Sequence, residues 1–284
     1  MILIMNYLHA YHAGNFADVM KHSILTLLVD YLEKKPSAYT YIDSHAGSGI
    51  YDLTSEYALK TEEAELGIIK LFQVQEKAPV ILQKYFNIIS SVQTGNDLTI
   101  YPGSPSIVRH LVRPQDNLIL NEKHESTYFQ LKKNFAHDPQ VTIHKRDAYE
   151  FLGAILPPKT TRGLVLMDPP FEKKSEREDM TTALEKCLRR FKQGVYLIWY
   201  ALTDKQPDFH IEQQLYDLLQ VHPHLLVEMR PHRLEPHKGL IGSLVLIINP
   251  PFTLQENLHT LMPFLTTTLS EGGHGKWRIF QYVH

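Results

Sequence analysis

The chain has 284 residues, 43% hydrophobic and 21% charged, enough apolar material for one large domain or for one domain carrying an insertion. Its 29 Lys and Arg nearly balance 31 Asp and Glu, giving a net charge of −2, so a generally basic nucleic-acid binder is excluded and any such contact must be local. The single cysteine, Cys187, excludes an internal disulfide framework. No apolar run is long enough to span a membrane, and the 16 histidines show no metal-ligand spacing; the expectation is a cytoplasmic protein without membrane or metal.

In chain order, Tyr7 to Asn15 is irregular, aromatic and histidine-rich. Residues 18–34 place Val19, Leu25, Leu28 and Leu32 on one face and predict an amphipathic helix. A strand over 38–43 runs into Ser44-His45-Ala46-Gly47-Ser48-Gly49. Glycines at such a turn let the backbone approach a nucleotide at the carboxyl end of a sheet. In doubly wound folds an acidic residue closing the second strand takes the ribose hydroxyls, about 20 residues after the glycines. The best candidate is Glu122, closing a strand over 117–122, with an excess of roughly 50 residues over that spacing. The excess falls on Tyr57 to Ser91, whose Glu, Lys, Leu and Ile content reads as helical. The expected layout is therefore a core of residues 1–52 and 101–284 around a helical insertion at 53–100. Tyr101-Pro102-Gly103-Ser104-Pro105 restarts the core, with Ser104 as N-cap and Pro105 at the first helical position.

Further on come a helix over 128–135, a strand over 141–144 followed by Asp147, and a helix over 148–155. A strand over 164–167 ends in Asp168-Pro169-Pro170-Phe171. A helix over 181–191 and strands over 195–199, 225–229 and 244–248 follow. Seven strands in βα alternation, the last two as a hairpin, predict a three-layer α/β fold.

Asp168 to Phe171 carries the chemistry. An adenine N6 amine is a poor nucleophile because its lone pair is delocalised into the ring. Methylating it requires acceptors for both N–H groups and alignment with an activated methyl. A carboxylate followed by two prolines presents acceptors without competing N–H donors, and an aromatic after them can stack on an extruded base. Asn249-Pro250-Pro251-Phe252 would pass the same pattern search. Its strand is expected to run antiparallel, which places Asn249 at the opposite edge of the sheet, so Asp168 is the candidate catalytic residue and Asn249 a structural one. Local basic spots at Lys132-Lys133, His144-Lys145-Arg146 and Lys173-Lys174 with Arg177 are the candidate RNA contacts.

Tyr7-x-His9-x-x-His12-Ala13-Gly14-Asn15-x-Ala17-Asp18-Val19-x-Lys21-His22 resembles the N-terminal signature of the RlmJ family, N6-methyltransferases of an adenine in 23S ribosomal RNA. Asp43-x-His45-Ala46-Gly47-x-Gly49, Tyr101 to Pro105, Asp168 to Phe171 and Ile248 to Pro251 match in the same order, so the resemblance covers essentially the whole chain. It implies a Rossmann-like class I methyltransferase core, an inserted helical subdomain, an N-terminal lid and S-adenosylmethionine as cofactor. By position, His22, His45, Ser104, Glu122, Asp147, Ala148 and Asp168 would contact the cofactor. Tyr7, His9, Lys21 and Phe171 would face the substrate. The implied partner is 23S rRNA, protein-free or in an early assembly intermediate, bound by a monomer. Phe171 stands where the family commonly has tyrosine, and Leu8 where an arginine is often seen.

Other readings compete. His45 could cap its turn, Glu122 and Asp147 could be helix N-caps, and Lys21 a solvated charge. A DNA adenine methyltransferase usually needs a larger recognition module. A protein-glutamine methyltransferase would begin its acceptor motif with asparagine. A nicotinamide-dependent oxidoreductase leaves Asp168 to Phe171 without a role, and a non-enzymatic RNA-binding protein leaves the cofactor constellation unexplained.

Overall fold

The computed structural model describes residues 9–95, 97–171, 173, 175–233 and 239–282. A turn of 3-10 helix, His9–Tyr11, leads into helix α1, Phe16–Glu33. Asn15 caps α1, its side-chain oxygen accepting from the backbone N–H groups of Ala17 and Asp18 at 3.0 and 2.9 Å. Strand β1, Tyr39–Asp43, enters the glycine turn, and two short strands, β2 (Ile50–Asp52) and β3 (Ile100–Pro102), pair antiparallel. Between them lie helices α2 (Glu56–Thr61), α3 (Lys70–Phe72) and α4 (Gln83–Ser91), joined by tighter or wider turns. Apolar side chains of these helices and turns, among them Ile68, Leu71, Leu82 and Phe86, join the same buried cluster as α1.

The rest of the chain alternates. Helix α5 (Ser104–Leu111) precedes strand β4 (Asn117–Asn121), α6 (Glu125–Asn134), β5 (Val141–His144) and α7 (Ala148–Ile155). Strand β6 (Arg162–Met167), α8 (Glu176–Arg190), β7 (Val195–Thr203) and α9 (Gln213–Val221) follow, then β8 (His224–Arg230), β9 (Leu240–Ile248), α10 (Leu254–Leu269) and β10 (Lys276–Phe280). Eight strands form one sheet in the order β10-β8-β9-β7-β6-β1-β4-β5. The strands from β7 to β5 are parallel, whereas β9 runs antiparallel to both β7 and β8. The α/β class and largely parallel sheet agree with expectation. The strand count is one higher, because β10 adds an edge strand along β8.

Alternation along β6 builds both layers of core. Leu164 and Leu166 belong to the buried cluster that includes α1, α5 and α10, while Val165 and Met167 belong to the one that includes α7, α8 and α9. No helix among the described residues is long and apolar enough to cross a membrane.

Helix α5 differs from expectation in one informative detail. Gly103, not Ser104, is its N-cap. Ser104 is the first helical residue instead, and its hydroxyl is turned towards Asp43, donating to Oδ2 at 2.7 Å.

Candidate functional site

The carboxyl ends of β1, β4 and β6, the glycine turn and the start of α1 surround a cavity of about 1060 Å³. His9, Lys21, His22, His45, Ser104 and Glu122 line it, as do Asp147, Ala148 and Asp168. These residues come from segments far apart in sequence. The parallel strands gather them, since each leaves its carboxyl end at one edge of the sheet.

The glycine turn forms because its conformation excludes other residues. Gly47 and Gly49 have φ of +62° and +78°, and a Cβ on Gly47 would lie 2.0 Å from the Tyr51 hydroxyl. The freed Gly47 N–H donates to Glu122 Oε2 at 3.0 Å, and the His124 N–H donates to Glu122 Oε1 at 2.7 Å. Glu122 is thus fixed by two backbone donors but does not cap α6, whose N-cap is His124. Burial against these two bonds raises its pKa above the ordinary carboxylate value. Asp147 does cap α7, accepting from Tyr149 N at 3.1 Å, and its other oxygen takes Lys123 Nζ at 2.9 Å.

Beneath the turn lies Asp43, fully buried. It accepts from the Tyr41 and Ser104 hydroxyls, both at 2.7 Å, and from His45 N at 3.2 Å. Burial outweighs these bonds, and with Asp168 nearby pushes its pKa up to about 6. Burial pushes His45 down to about 4, so its ring is neutral at pH 7.

Lys21 organises the opposite wall. Its ammonium donates to Asp18 Oδ1 at 2.9 Å and pairs with Asp168 Oδ2. Burial opposes this charge, but the two carboxylates outweigh it and hold the lysine protonated above its ordinary range. Asp18 also accepts from Gly14 N at 3.0 Å and meets His9 Nε2 at 2.9 Å. Lys21 therefore is a buried bridge between the first helix and the end of β6, not a solvated charge. Its ammonium also sits 5.6 Å from the Trp199 ring centroid.

Tyr7 lies outside the described residues, as does Leu8. Phe171 has φ of +52° and does not line the cavity; its ring packs 5.7 Å from Trp199 and 6.0 Å from Tyr200. Trp199 does line the cavity, a residue that sequence reasoning passed over as part of a core strand. Tyr149 was missed as well; its hydroxyl donates to buried Glu176 at 2.6 Å, and its ring meets His45 edge-on. Of the basic spots, Lys173 lines the cavity, Lys174 lies outside the described residues, and Arg177 instead donates to Ala201 O at 3.2 Å.

Asn249 sits at the other end of the sheet, as its strand direction requires. Its side-chain amide donates to Lys192 O and Gly194 O at 2.8 and 2.7 Å, at the loop entering β7. It takes no part in the cavity.

A family model described as "Ribosomal RNA large subunit methyltransferase D, RlmJ" matches residues 36–283. The chain is 35% identical over 274 residues to the Ribosomal RNA large subunit methyltransferase J of Escherichia coli (strain K12), covering 96% of each chain. It is 36% identical over 277 residues to the protein of the same name from Haemophilus influenzae, covering 97% of this chain and 98% of that one. A crystal structure of a protein from Legionella pneumophila str. Philadelphia 1 superposes with a TM-score of 0.88 at 31% identity, covering 96% of this chain and all of the other. A glycine turn, a strand-end Asp-Pro-Pro and full-length matches to two curated relatives converge, and the chain belongs to the RlmJ family.

Proposed function

We propose that this protein transfers a methyl group from S-adenosylmethionine to the N6 amine of an adenine in large-subunit, 23S ribosomal RNA, with Asp168 receiving the amine. One observation carries the reading: Asp168 shares a single cavity with Glu122, Asp147 and the glycine turn, and is held there by Lys21. The curated relatives are named as methyltransferases of large-subunit ribosomal RNA, and they align over nearly the whole chain.

The residues present fit an adenosyl cofactor. Glu122, pinned by Gly47 and His124, keeps lone pairs for a ribose diol, and the bare Gly47 leaves no Cβ in the way. The volume of about 1060 Å³ is at the upper end of small-molecule pockets, typically about 300–1,000 Å³, which leaves room for a base beside the cofactor. When bound, the cofactor supplies the activated methyl on a sulfonium.

The chain's own residues do the rest. Asp168 and the carbonyls of the Pro169-Pro170 turn accept the two N–H bonds of the amine and hold its lone pair in line. As the nitrogen becomes cationic, the carboxylate stabilises it until its proton leaves. Lys21 fixes that carboxylate, and Trp199, which lines the same cavity, places an aromatic wall beside it. His9 and Tyr7 would approach from the N-terminal segment, which we read as a lid. We read residues 53–100 as an insertion in a core formed by 1–52 and 101–284, acting as a monomer on RNA free of protein or early in assembly.

Two measurements test this. S-adenosylhomocysteine should bind by calorimetry while NADH does not; the reverse would return the chain to the oxidoreductases. Incubation with unmodified 23S RNA should yield N6-methyladenine at one unpaired position by mass mapping. Methylation of another atom, or none, would overturn the assignment of Asp168.

A further inference from the structure

Tyr101 opens the Tyr101 to Pro105 motif but does not itself line the cavity. It is fully buried, and its hydroxyl lies 2.7 Å from His22 Nδ1 and 3.0 Å from the hydroxyl of Tyr85 on α4. Tyr85 is also fully buried. The three groups form a closed line from the insertion to the cavity wall, where His22 sits.

Counting protons gives the line a direction. Two hydroxyls supply two protons, and the line ends on one imidazole nitrogen. If Tyr85 donates to Tyr101 and Tyr101 donates to Nδ1, each hydroxyl proton has an acceptor. In the opposite direction Nδ1–H donates to Tyr101 and Tyr101 to Tyr85. The Tyr85 proton then has nowhere to go, since among the described residues Tyr101 is its hydrogen-bond partner and its hydroxyl is sealed from water.

We propose that Tyr101 is a positioning residue that fixes His22 as the Nε2–H tautomer, so that the ring presents a neutral N–H donor to the cofactor. Tyr85 anchors Tyr101 from the insertion. The ring stays neutral because burial, with Lys21 and His9 adding repulsion, brings His22 down to about 3. Nδ1 is occupied by Tyr101, which leaves Nε2 as the nitrogen available to a ligand. A neutral donor suits an acceptor such as the cofactor's carboxylate and adds no cation beside Lys21. The cofactor clause rests on the methyltransferase reading; the tautomer does not.

The test is nitrogen NMR of the full-length protein labelled in histidine, without ligand. His22 should show a protonated, pyrrole-like Nε2 and an unprotonated, pyridine-like Nδ1. Tyr85→Phe should keep this pattern, because the remaining hydroxyl still needs an acceptor, and should leave S-adenosylhomocysteine affinity within about threefold. Tyr101→Phe should mix the tautomers and weaken that affinity by about tenfold, the loss of one well-formed hydrogen bond. If Tyr101→Phe fails to fold, the double Tyr85→Phe, Tyr101→Phe variant replaces both hydroxyls with apolar edges and should give the same mixing. A protonated Nδ1 in the unaltered protein, or an unchanged tautomer in a folded Tyr101→Phe or double variant, overturns the proposal. Absence of any S-adenosylhomocysteine binding to the unaltered protein would instead overturn the cofactor reading and leave the tautomer assignment standing.

Discussion

Asp168 and Asn249 each stand before two prolines, yet their side chains are used differently. Asp168 meets an ammonium in a cavity, whereas Asn249 ties a loop with two backbone carbonyls. Asp168→Ala should lower methyl transfer by about 10²–10³-fold, as losses of transition-state electrostatics do, with the fold retained by circular dichroism. Asn249→Ala should leave kcat within about twofold but cost about 1–3 kcal/mol in urea unfolding, from two lost hydrogen bonds and a φ of +55° that alanine resists. Equal loss of turnover in both variants, with both folded, would remove the distinction. Asp43 gives a pH prediction. Its folded pKa of about 6 lies above the unfolded value, so between those values the folded state binds more protons than the unfolded one. Its contribution is therefore present at low pH and lost as pH rises towards about 6. Unfolding free energies of Asp43→Asn minus the unaltered protein should grow from pH 4 to 6 and level off above; a flat difference would show that Asp43 ionises normally.

The start of α1 is held by the segment between β2 and β3 as well as by its cap. Glu63 meets His12 Nδ1 and accepts from Asn15 Nδ2, both at 2.9 Å. The positions of His9, Lys21 and His22 follow from that placement. Glu63→Gln keeps the shape but weakens the charge-assisted pair, and turnover should fall by about threefold to tenfold with little change in Tm. Removal of residues 1–12 should cut single-turnover rates by about 100-fold or more while cofactor affinity changes little, as expected of a segment that closes over a site. Near-normal rates would sink the lid. The strand-end acids were legible in the sequence because strand length and alternation locate them without knowledge of the fold. Strands β2 and β3, of three residues each, were too short to carry a period. In β10, Lys276 and Arg278 alternate with Trp277 and Ile279 on an edge, and the charges masked it. The commitments of Ser104 to Asp43 and of Tyr101 to His22 were not legible, since each spans more than 60 residues and depends on tertiary placement. Trp199 was hidden for the reverse reason, looking like any core aromatic until β7 placed it at the cavity.

If the proposed function holds, near-balanced charge over the whole molecule sets how RNA is held. With a net charge of −2, affinity has to come from a few local cations and from stacking. The slope of log K against log salt should correspond to about two to four phosphate contacts at roughly 0.7 each for a single strand. A much steeper slope would mean a basic surface that the fold does not suggest. The ion pair between Lys21 and Asp168 has a further consequence, in time instead of space. Its partners are 147 residues apart in the chain. A ribosome adding about 5–20 residues each second would release Lys21 roughly 7–30 s before it makes Asp168. Throughout that interval the first helix carries a cation meant for burial, and the strand that completes its pairing has not been synthesised. The nascent chain is then most exposed to misassembly, and substitutions in α1 should depress the yield of soluble protein more than their effect on the finished fold implies.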